Sequence, residues 1–209
     1  MDAMSLSLFL FATFLGGFTS GLTGFAAGLV VSGIWLHIIT PLQTAVLIAA
    51  YGMVNQGYGI WKVRHAVQWR RIFPFVIGGA VGVPLGAHLV TYLNPMHIRF
   101  GVGVLLIAYS TYNLARPSFR PVKSRPVLDG VVGIFNGLLG GLTGLGGVIS
   151  TIWVQLGGGA KDAQRAIFQP VLFLTMTMTT ATFAASGHLL HVGILRLFAL
   201  GLPALLLGL

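Results

Sequence analysis

The stretch that decides the fold is GFTSGLTG at residues 17–24, because a second copy, GLLGGLTG, occupies residues 137–144. At this offset of 120, five of the eight paired residues are identical, including the whole Gly-Leu-Thr-Gly core. The order of the apolar segments that follow each copy is also the same. The pattern therefore indicates an internal repeat, and the chain is expected to consist of two related halves.

Each copy lies inside a long apolar run. Of the 209 residues, 56% are hydrophobic and 7% are charged, and no charged residue occurs between Asp2 and Lys62. A soluble domain usually has about a quarter of its residues charged. Since a helix needs about 20 apolar residues to cross a bilayer, the sequence predicts an all-α polytopic membrane protein with about seven transmembrane helices.

The apolar run 5–39 is too long for one crossing, since a straight helix of that length would span about 52 Å. We therefore predict a break near Thr23–Gly24. The other predicted segments are 43–60, 72–90, 96–114, a second broken run at 127–156, and then 166–186 and 192–209. The loops between them are predicted at 61–71 and 157–165. This divides the chain into a first repeat at 1–115, a basic linker at 116–126 and a second repeat at 127–209. By symmetry, the second repeat is expected to continue for about 30 further residues.

The basic residues indicate the orientation of the repeats. They cluster in loops 61–71 and 116–126, which positive-inside statistics place in the cytoplasm. Because these residues sit in short loops between apolar runs, the net charge of +9 does not indicate a nucleic-acid partner. The repeats could be parallel or inverted. The equivalent loop in the second repeat, 187–196, keeps only Arg196 as a Lys or Arg residue, and this favours inversion.

The two glycine-rich breaks are the first candidates for a binding site. A broken helix exposes N–H groups, and its dipole places partial positive charge at the new N-terminus, which can hold an anion. We therefore expect Thr23, Gly24, Thr143 and Gly144 to contact a substrate. The alternative is that the glycines only allow helices to pack closely.

Polar side chains in two other crossings are further candidates. Asn55 and Gln56 lie in an apolar segment, where buried amides must face the interior of the bundle. Arg165 and Gln169 lie one helical turn apart, and Arg suits an oxyanion. The alternatives are an interhelical hydrogen bond for the amides and an interfacial anchor for Arg165.

The sequence offers little for catalysis or for a cofactor. It has no cysteine and three acidic residues, which form neither an acid pair nor a triad, so we expect no enzyme and no cofactor. His188 and His191 could supply at most half of a metal site, and no metal centre is predicted. The expected partners are a small anion and the lipid bilayer, and a homo-oligomer remains open.

These elements together resemble the sulfite exporter TauE/SafE family of membrane permeases. The resemblance rests on GFTSGLTGF at 17–25, GLLGGLTGLGG at 137–147, the segment 161–166 and the basic loop around Trp69. It implies a multi-pass permease of the bacterial inner membrane that moves sulfite, a sulfonate such as sulfoacetate, or another small organic anion by alternating access. The anion, the direction and any coupling ion stay open. An anion channel, a membrane enzyme and a non-transporting subunit are the competing readings.

Overall fold

The computed structural model describes residues 2–115, 122, 124–187 and 192–209, and these residues form helices with no strand. The all-α prediction is therefore confirmed. The helices are α1 (Ala3–Thr23), α2 (Ala27–Ile38), α3 (Pro41–Val63), α4 (Trp69–Tyr92), α5 (Pro95–Ala115), α6 (Pro126–Thr143), α7 (Val148–Leu156), α8 (Lys161–Ala185) and α9 (Val192–Gly208), with a short 3-10 helix at Arg64–Ala66.

Both predicted breaks are present. Helix α1 ends at Thr23 and α6 ends at Thr143, and the next residues, Gly24 and Gly144, have φ angles of 90° and 77°. This left-handed backbone favours glycine because a Cβ would crowd the neighbouring carbonyl. Each break is followed by a short helix, α2 with 12 residues and α7 with 9 residues, whose N-cap residue supplies no side-chain cap. In the first turn of α7, the Asn136 Oδ1 accepts from the Ser150 N–H at 3.2 Å.

Local signals fix the starts of two helices. At Thr40, the hydroxyl accepts from the Gln43 N–H at 3.2 Å and the Gln43 side chain accepts from the Thr40 N–H at 3.1 Å, so a capping box precedes Pro41. At the chain start, the Asp2 carboxylate accepts from the Ser5 N–H. Hydrogen bonds with the side chain and the backbone of Ser5 hold the pKa of Asp2 below its ordinary value.

The predicted loops were too long. Helix α3 continues to Val63 and α4 begins at Trp69, so much of the predicted loop 61–71 is helical. Helix α8 begins at Lys161, which places residues 161–165 in a helix and not in the predicted loop 157–165. Long basic side chains reach water from within a helix end, and charge therefore marks the edge of the membrane better than the end of a helix.

Four of the described helices are long and apolar enough to cross a membrane, namely α1, α4, α6 and α8. Shorter apolar helices occur at Ala27–Ile38 and Gly193–Gly208. Helix α3 has 23 residues and is long enough to span. The helices thus fit a polytopic membrane protein, while the number of seven crossings stays a prediction.

Helices α4 and α6 pack through glycine. Gly78, Gly82 and Gly86 of α4 lie directly against the α6 backbone. The α6 residues that they meet advance along the chain in the same order, from Gly130 to Leu138, so the two helices run parallel. Small residues let the backbones approach in this way, which is a common basis of helix association in membranes.

Helices α1 and α9 form the matching pair in the other half. Gly17 lies against Leu205, and Gly21 lies against Leu209, so these helices are also parallel. The offset of 120 relates α1 to α6, so each repeat contributes its first helix to a contact with a later helix of the other repeat. For these glycines, the predicted alternative of close packing is confirmed.

Helices α3 and α8 cross the centre of the bundle side by side. Gly52, Gly57 and Gly59 of α3 face Met176, Phe173 and Gln169 of α8, respectively. The residue numbers rise on one helix and fall on the other, so α3 and α8 are antiparallel. They are also equivalent to each other at the offset of 120.

An aromatic cluster, Phe9–Trp35–Tyr51–Phe198, ties four helices together. The ring centroids of Phe9 and Trp35 are 4.7 Å apart, and those of Tyr51 and Phe198 are 4.9 Å apart. Trp35 also lies 5.8 Å from Tyr51, and the Tyr51 hydroxyl donates to the Leu197 and Phe198 carbonyl groups of α9. The cluster closes the bundle between α1, α2, α3 and α9.

Candidate functional site

One pocket collects polar residues from both repeats, and we call it the basic pocket. It lies between the C-terminal ends of α1 and α3 and the first turns of α8, and its cavity volume is about 40 Å³. Its lining residues are Ser20, Gly21, Gly24, Asn55, Tyr58, Gly59, Lys62, Val63, Arg165, Gln169 and Leu209.

The spacing of residues along two helices explains why these side chains converge. Asn55, Gly59 and Lys62 lie at helical positions i, i+4 and i+7, which is one face of α3. On α8, Arg165 and Gln169 are one turn apart and point the same way. The face of α3 therefore meets the face of α8 across the pocket.

Two glycines leave room for Gln169. A Cβ on Gly24 would lie 2.9 Å from the Gln169 Nε2, and a Cβ on Gly59 would lie 2.7 Å from the same atom. Both distances are shorter than real Cβ contacts. Glycine at these positions thus lets the amide of Gln169 sit between α1 and α3.

The pocket has a positive electrostatic character. Lys62 and Arg165 line it, and no Asp or Glu stands among the described residues around it. The Arg165 Nη2 donates to the Leu22 carbonyl oxygen at 3.0 Å, which uses one of the five guanidinium N–H groups. The Lys62 ammonium lies 4.3 Å from the Tyr58 ring centroid. This arrangement suits a small anion.

A second space lies deeper in the bundle, and we call it the inner cavity. It is lined from both breaks, by Ala27 and Gly28 at the start of α2 and by Gly147 and Val148 around the start of α7. The breaks approach each other closely, since a Cβ on Gly28 would lie 3.0 Å from the Leu145 Cδ2. The other lining residues are Thr13, Phe25, Leu29, Val31, Trp35, Ile48, Tyr51, Gly52, Asn55, Gln56, Gly144, Leu145, Leu172, Met176 and Leu205.

Phe25 and Asn55 mark the border between the two spaces. Asn55 lines both, whereas Gly24 lines the basic pocket and the adjacent Phe25 lines the inner cavity. The Phe25 ring packs edge-on against Phe168 at 6.0 Å and against Tyr109 at 5.9 Å. An aromatic side chain thus stands beside the amide that the two spaces share.

Three buried amides have polar atoms without a partner among the described residues. These are both amide atoms of Asn55, the Oε1 of Gln56 and the Oε1 of Gln169, and each of the three side chains is 4% exposed. An unpaired buried amide is costly unless something binds it. These residues are therefore suited to contact a polar ligand.

Of the eight predicted site residues, six line the basic pocket or the inner cavity. Gly24, Asn55, Arg165 and Gln169 line the basic pocket, and Gln56 and Gly144 join Asn55 around the inner cavity.

Thr23 and Thr143 line neither space. Thr23 donates to the Thr19 carbonyl at 2.8 Å and accepts from the Ala26 N–H, and Thr143 donates to the Leu139 carbonyl at 2.7 Å and accepts from the Leu145 N–H. Each hydroxyl group therefore stabilises the backbone of its own break.

Sequence reasoning missed Ser20, Tyr58 and Lys62. Lys62 was assigned to a loop, although its spacing of seven residues from Asn55 on a continuing helix would have placed it on the same face. No comparable signal singled out Ser20 or Tyr58.

No cluster of metal-ligating residues occurs among the described residues. His188 and His191 lie outside that part of the chain. The buried Asp129 accepts from the Trp153 Nε1 at 2.7 Å and from the Ser124 hydroxyl, so this carboxylate holds α7 against α6.

Apolar helices around two facing breaks, with a carboxylate-free basic pocket beside them, are the features of a helical membrane transporter for anions. The family model described as Sulfite exporter TauE/SafE matches residues 9–209. The chain therefore belongs to the TauE/SafE sulfite exporter family, which confirms the resemblance seen in the sequence. Members of this family are membrane transporters and not enzymes. The chain has no match among curated proteins or solved structures.

Proposed function

We propose that this protein moves a small anion, either a sulfur oxyanion or a small organosulfonate, across the bacterial inner membrane by alternating access. The observation that carries the proposal is the basic pocket, where Lys62, Arg165, Asn55 and Gln169 converge without a carboxylate. Family membership supports a sulfur-related anion as the transported species.

The chemistry of the pocket supports an oxyanion. A guanidinium group presents planar paired donors that match the oxygens of a sulfonate or sulfite, and an ammonium group adds a compact positive charge. The Asn55 and Gln169 amides can donate further hydrogen bonds. A cation would meet two like charges here and no balancing acid.

We infer that the two repeats are inverted. The antiparallel packing of the equivalent helices α3 and α8 supports this, because a two-fold axis in the membrane plane reverses helix direction. The contacts of α1 with α9 and of α4 with α6 are the pairs that such an axis would exchange.

A difference between the two breaks supports alternating access. The first break borders the basic pocket, while a Cβ on Gly144 in the second break would lie 2.7 Å from the Ala45 carbonyl oxygen of α3. In the proposal, movement of one repeat against the other closes the first site and opens the second. In this proposal, Thr23 and Thr143 act indirectly, because their hydroxyl groups stabilise the backbone of the two breaks.

The orientation of the pocket rests on the basic loops. We propose that the loops 61–71 and 116–126 are cytoplasmic, which places the basic pocket on the cytoplasmic side. The aromatic cluster of Phe9, Trp35, Tyr51 and Phe198 would then close the opposite side. Such a closure supports a transporter over an anion channel. Large unitary currents in a planar bilayer would contradict the transporter proposal.

The test is flux of radiolabelled sulfite, sulfate and a small sulfonate into proteoliposomes. Lys62→Gln and Arg165→Gln are each expected to lower the flux at least about tenfold, because each removes a charge worth about 1.5–3 kcal/mol in a hydrogen bond to the anion. Arg64→Gln is the matched control. It removes a neighbouring charge from outside the pocket, where Arg64 donates to the Trp61 carbonyl and lies over its ring.

Saturable flux of one sulfur anion that is lost in both pocket variants and kept in the control is the expected result. Equal flux in all four proteins would remove the basic pocket from the proposal. Folded protein without flux of any of the three anions would overturn the sulfur-anion function.

A further inference from the structure

The inner cavity differs from the basic pocket in its chemistry, although both could receive the same transported anion. We propose that the inner cavity is a second binding site, selective for a small singly charged anion that also carries a hydrogen-bond donor. This proposal rests on the proposed function, because the anion must pass through the bundle.

Unpartnered polar atoms around the cavity indicate a ligand. Trp35 is fully buried and its indole N–H has no partner among the described residues. Both amide atoms of Asn55 and the Oε1 of Gln56 are likewise without one, and all three residues line the cavity. A buried polar group normally has a hydrogen bond, so a set of three around one space points to a polar guest.

The charge that the cavity can accept follows from the two helix N-termini. The starts of α2 and α7 both border the cavity, and neither N-cap residue supplies a side-chain cap. In the first turn of α7, the Asn136 Oδ1 accepts from the Ser150 N–H at 3.2 Å, which leaves the N–H groups before it without a side-chain acceptor. Each helix N-terminus is equivalent to about half a positive charge, so the pair can offset at most about one negative charge. No Lys, Arg, Asp or Glu is among the described lining residues. A doubly charged anion would keep most of its desolvation penalty here.

The acceptor atoms define the second feature of the ligand. The Gln56 Oε1 is a buried acceptor without a partner, and the Asn55 amide offers one acceptor and one donor group in either orientation. An anion that has only acceptor atoms cannot satisfy the Gln56 oxygen, whereas one with a hydroxyl group can. The rest of the wall includes the apolar side chains of Leu145, Leu172 and Met176, which can face the carbon atoms of a small organic anion.

Two matched probes separate these features. 2-Hydroxyethanesulfonate and ethanesulfonate are both singly charged and differ by one hydroxyl group, while sulfate is doubly charged. Their binding to the full chain in lipid nanodiscs can be measured by isothermal titration calorimetry. We expect wild-type protein to bind 2-hydroxyethanesulfonate about tenfold more tightly than ethanesulfonate, the effect of about one buried hydrogen bond.

Variants assign the preference to the cavity. Gln56→Met keeps the side-chain length and is expected to abolish the preference, so that 2-hydroxyethanesulfonate and ethanesulfonate bind about equally. Trp35→Phe keeps an aromatic ring and is expected to weaken both sulfonates about equally, without changing sulfate. Ser32→Ala is the control, because Ser32 is buried on the same helix as Trp35, lies outside the cavity and donates to the Leu29 carbonyl. The thermal transition of each variant reports whether it folds.

The outcomes distinguish the inner cavity from the basic pocket. If Lys62→Gln weakens all three probes while Gln56→Met and Trp35→Phe change none, the basic pocket stands and the second site is wrong. Tight sulfate binding that depends on Trp35 would contradict selection by charge. If folded protein carries sulfite flux but binds neither sulfonate, the second site is wrong and the proposed function stands. Folded protein that also carries no flux of sulfite, sulfate or sulfonate would overturn the proposed function itself.

Discussion

The two helix breaks share the Gly-Leu-Thr-Gly core and a left-handed glycine, yet they have different neighbours. At the first break, Gly24 faces Arg165 and Gln169 on α8. At the second break, Gly144 faces Ala45 and Ile48 on α3. The position that holds Arg165 in one repeat holds Ala45 in the other, at the offset of 120.

This difference shows how one framework can give two kinds of site. The left-handed glycine and the threonine cap make the break, and they occur twice. The residues of the opposing helix decide whether the break borders a charged pocket or a packed wall. The proposed function therefore assigns α3 and α8 as large a part as the glycine-rich stretches.

The largest expected effect is on stability and comes from adding a Cβ at each break. Both Gly24→Ala and Gly144→Ala place a side chain at positive φ, which costs about 1–2 kcal/mol. At Gly144 the new Cβ also meets α3 backbone, whereas at Gly24 it meets the movable end of the Gln169 side chain. We expect Gly144→Ala to be destabilised by about 1–3 kcal/mol more than Gly24→Ala.

Thermal unfolding midpoints of the two variants in the same lipid check this prediction. Equal midpoints would mean that the second break is not packed against α3 as described.

A second effect is on transport and comes from making the first break like the second. Arg165→Ala combined with Gln169→Ala introduces at α8 the residues that α3 has at positions 45 and 49. Sulfite flux is expected to fall at least about tenfold, because the pocket loses a charge and an amide. The fold should survive, since Gln169 has an unpartnered Oε1 and Arg165 is only half-buried. Flux at the wild-type rate would show that the contrast between the breaks has no functional meaning.

The smallest effect concerns the closed side of the bundle. Tyr51→Phe removes the hydroxyl that donates to the Leu197 and Phe198 carbonyls and keeps the ring contacts. The expected loss of stability is about 0.5–1.5 kcal/mol. Guanidinium or heat denaturation in nanodiscs would measure it, and an unchanged or raised stability would argue against a closure held by this hydrogen bond.

Much of the fold could be predicted from the sequence because its signals are local. The duplicated breaks and the apolar runs each depend on nearby residues. The prediction was wrong at helix ends such as Val63 and Lys161, since charged residues there were taken as loops.

The candidate site was harder to predict because it depends on how distant segments pack. Arg165 and Gln169 were singled out from their spacing, but only the packing of α8 on α3 places them next to Lys62 and Asn55. Asn55 and Gln56 were identified together, although only Asn55 reaches both spaces. Thr23 and Thr143 illustrate the opposite case. Their repetition made them candidates for substrate contact, but their hydroxyl groups cap the breaks and the residues line neither space.

The most direct test of the account uses the absence of cysteine from the chain. Tyr58→Cys places a thiol in the basic pocket, and Met178→Cys places one at the equivalent position of α8. A membrane-impermeant maleimide is then applied to oriented vesicles from each side, with and without sulfite. The account predicts that Tyr58→Cys reacts from the side of loop 61–71 and is protected by sulfite, while Met178→Cys reacts from the opposite side. Reaction of both thiols from the same side, without protection by sulfite, would contradict it.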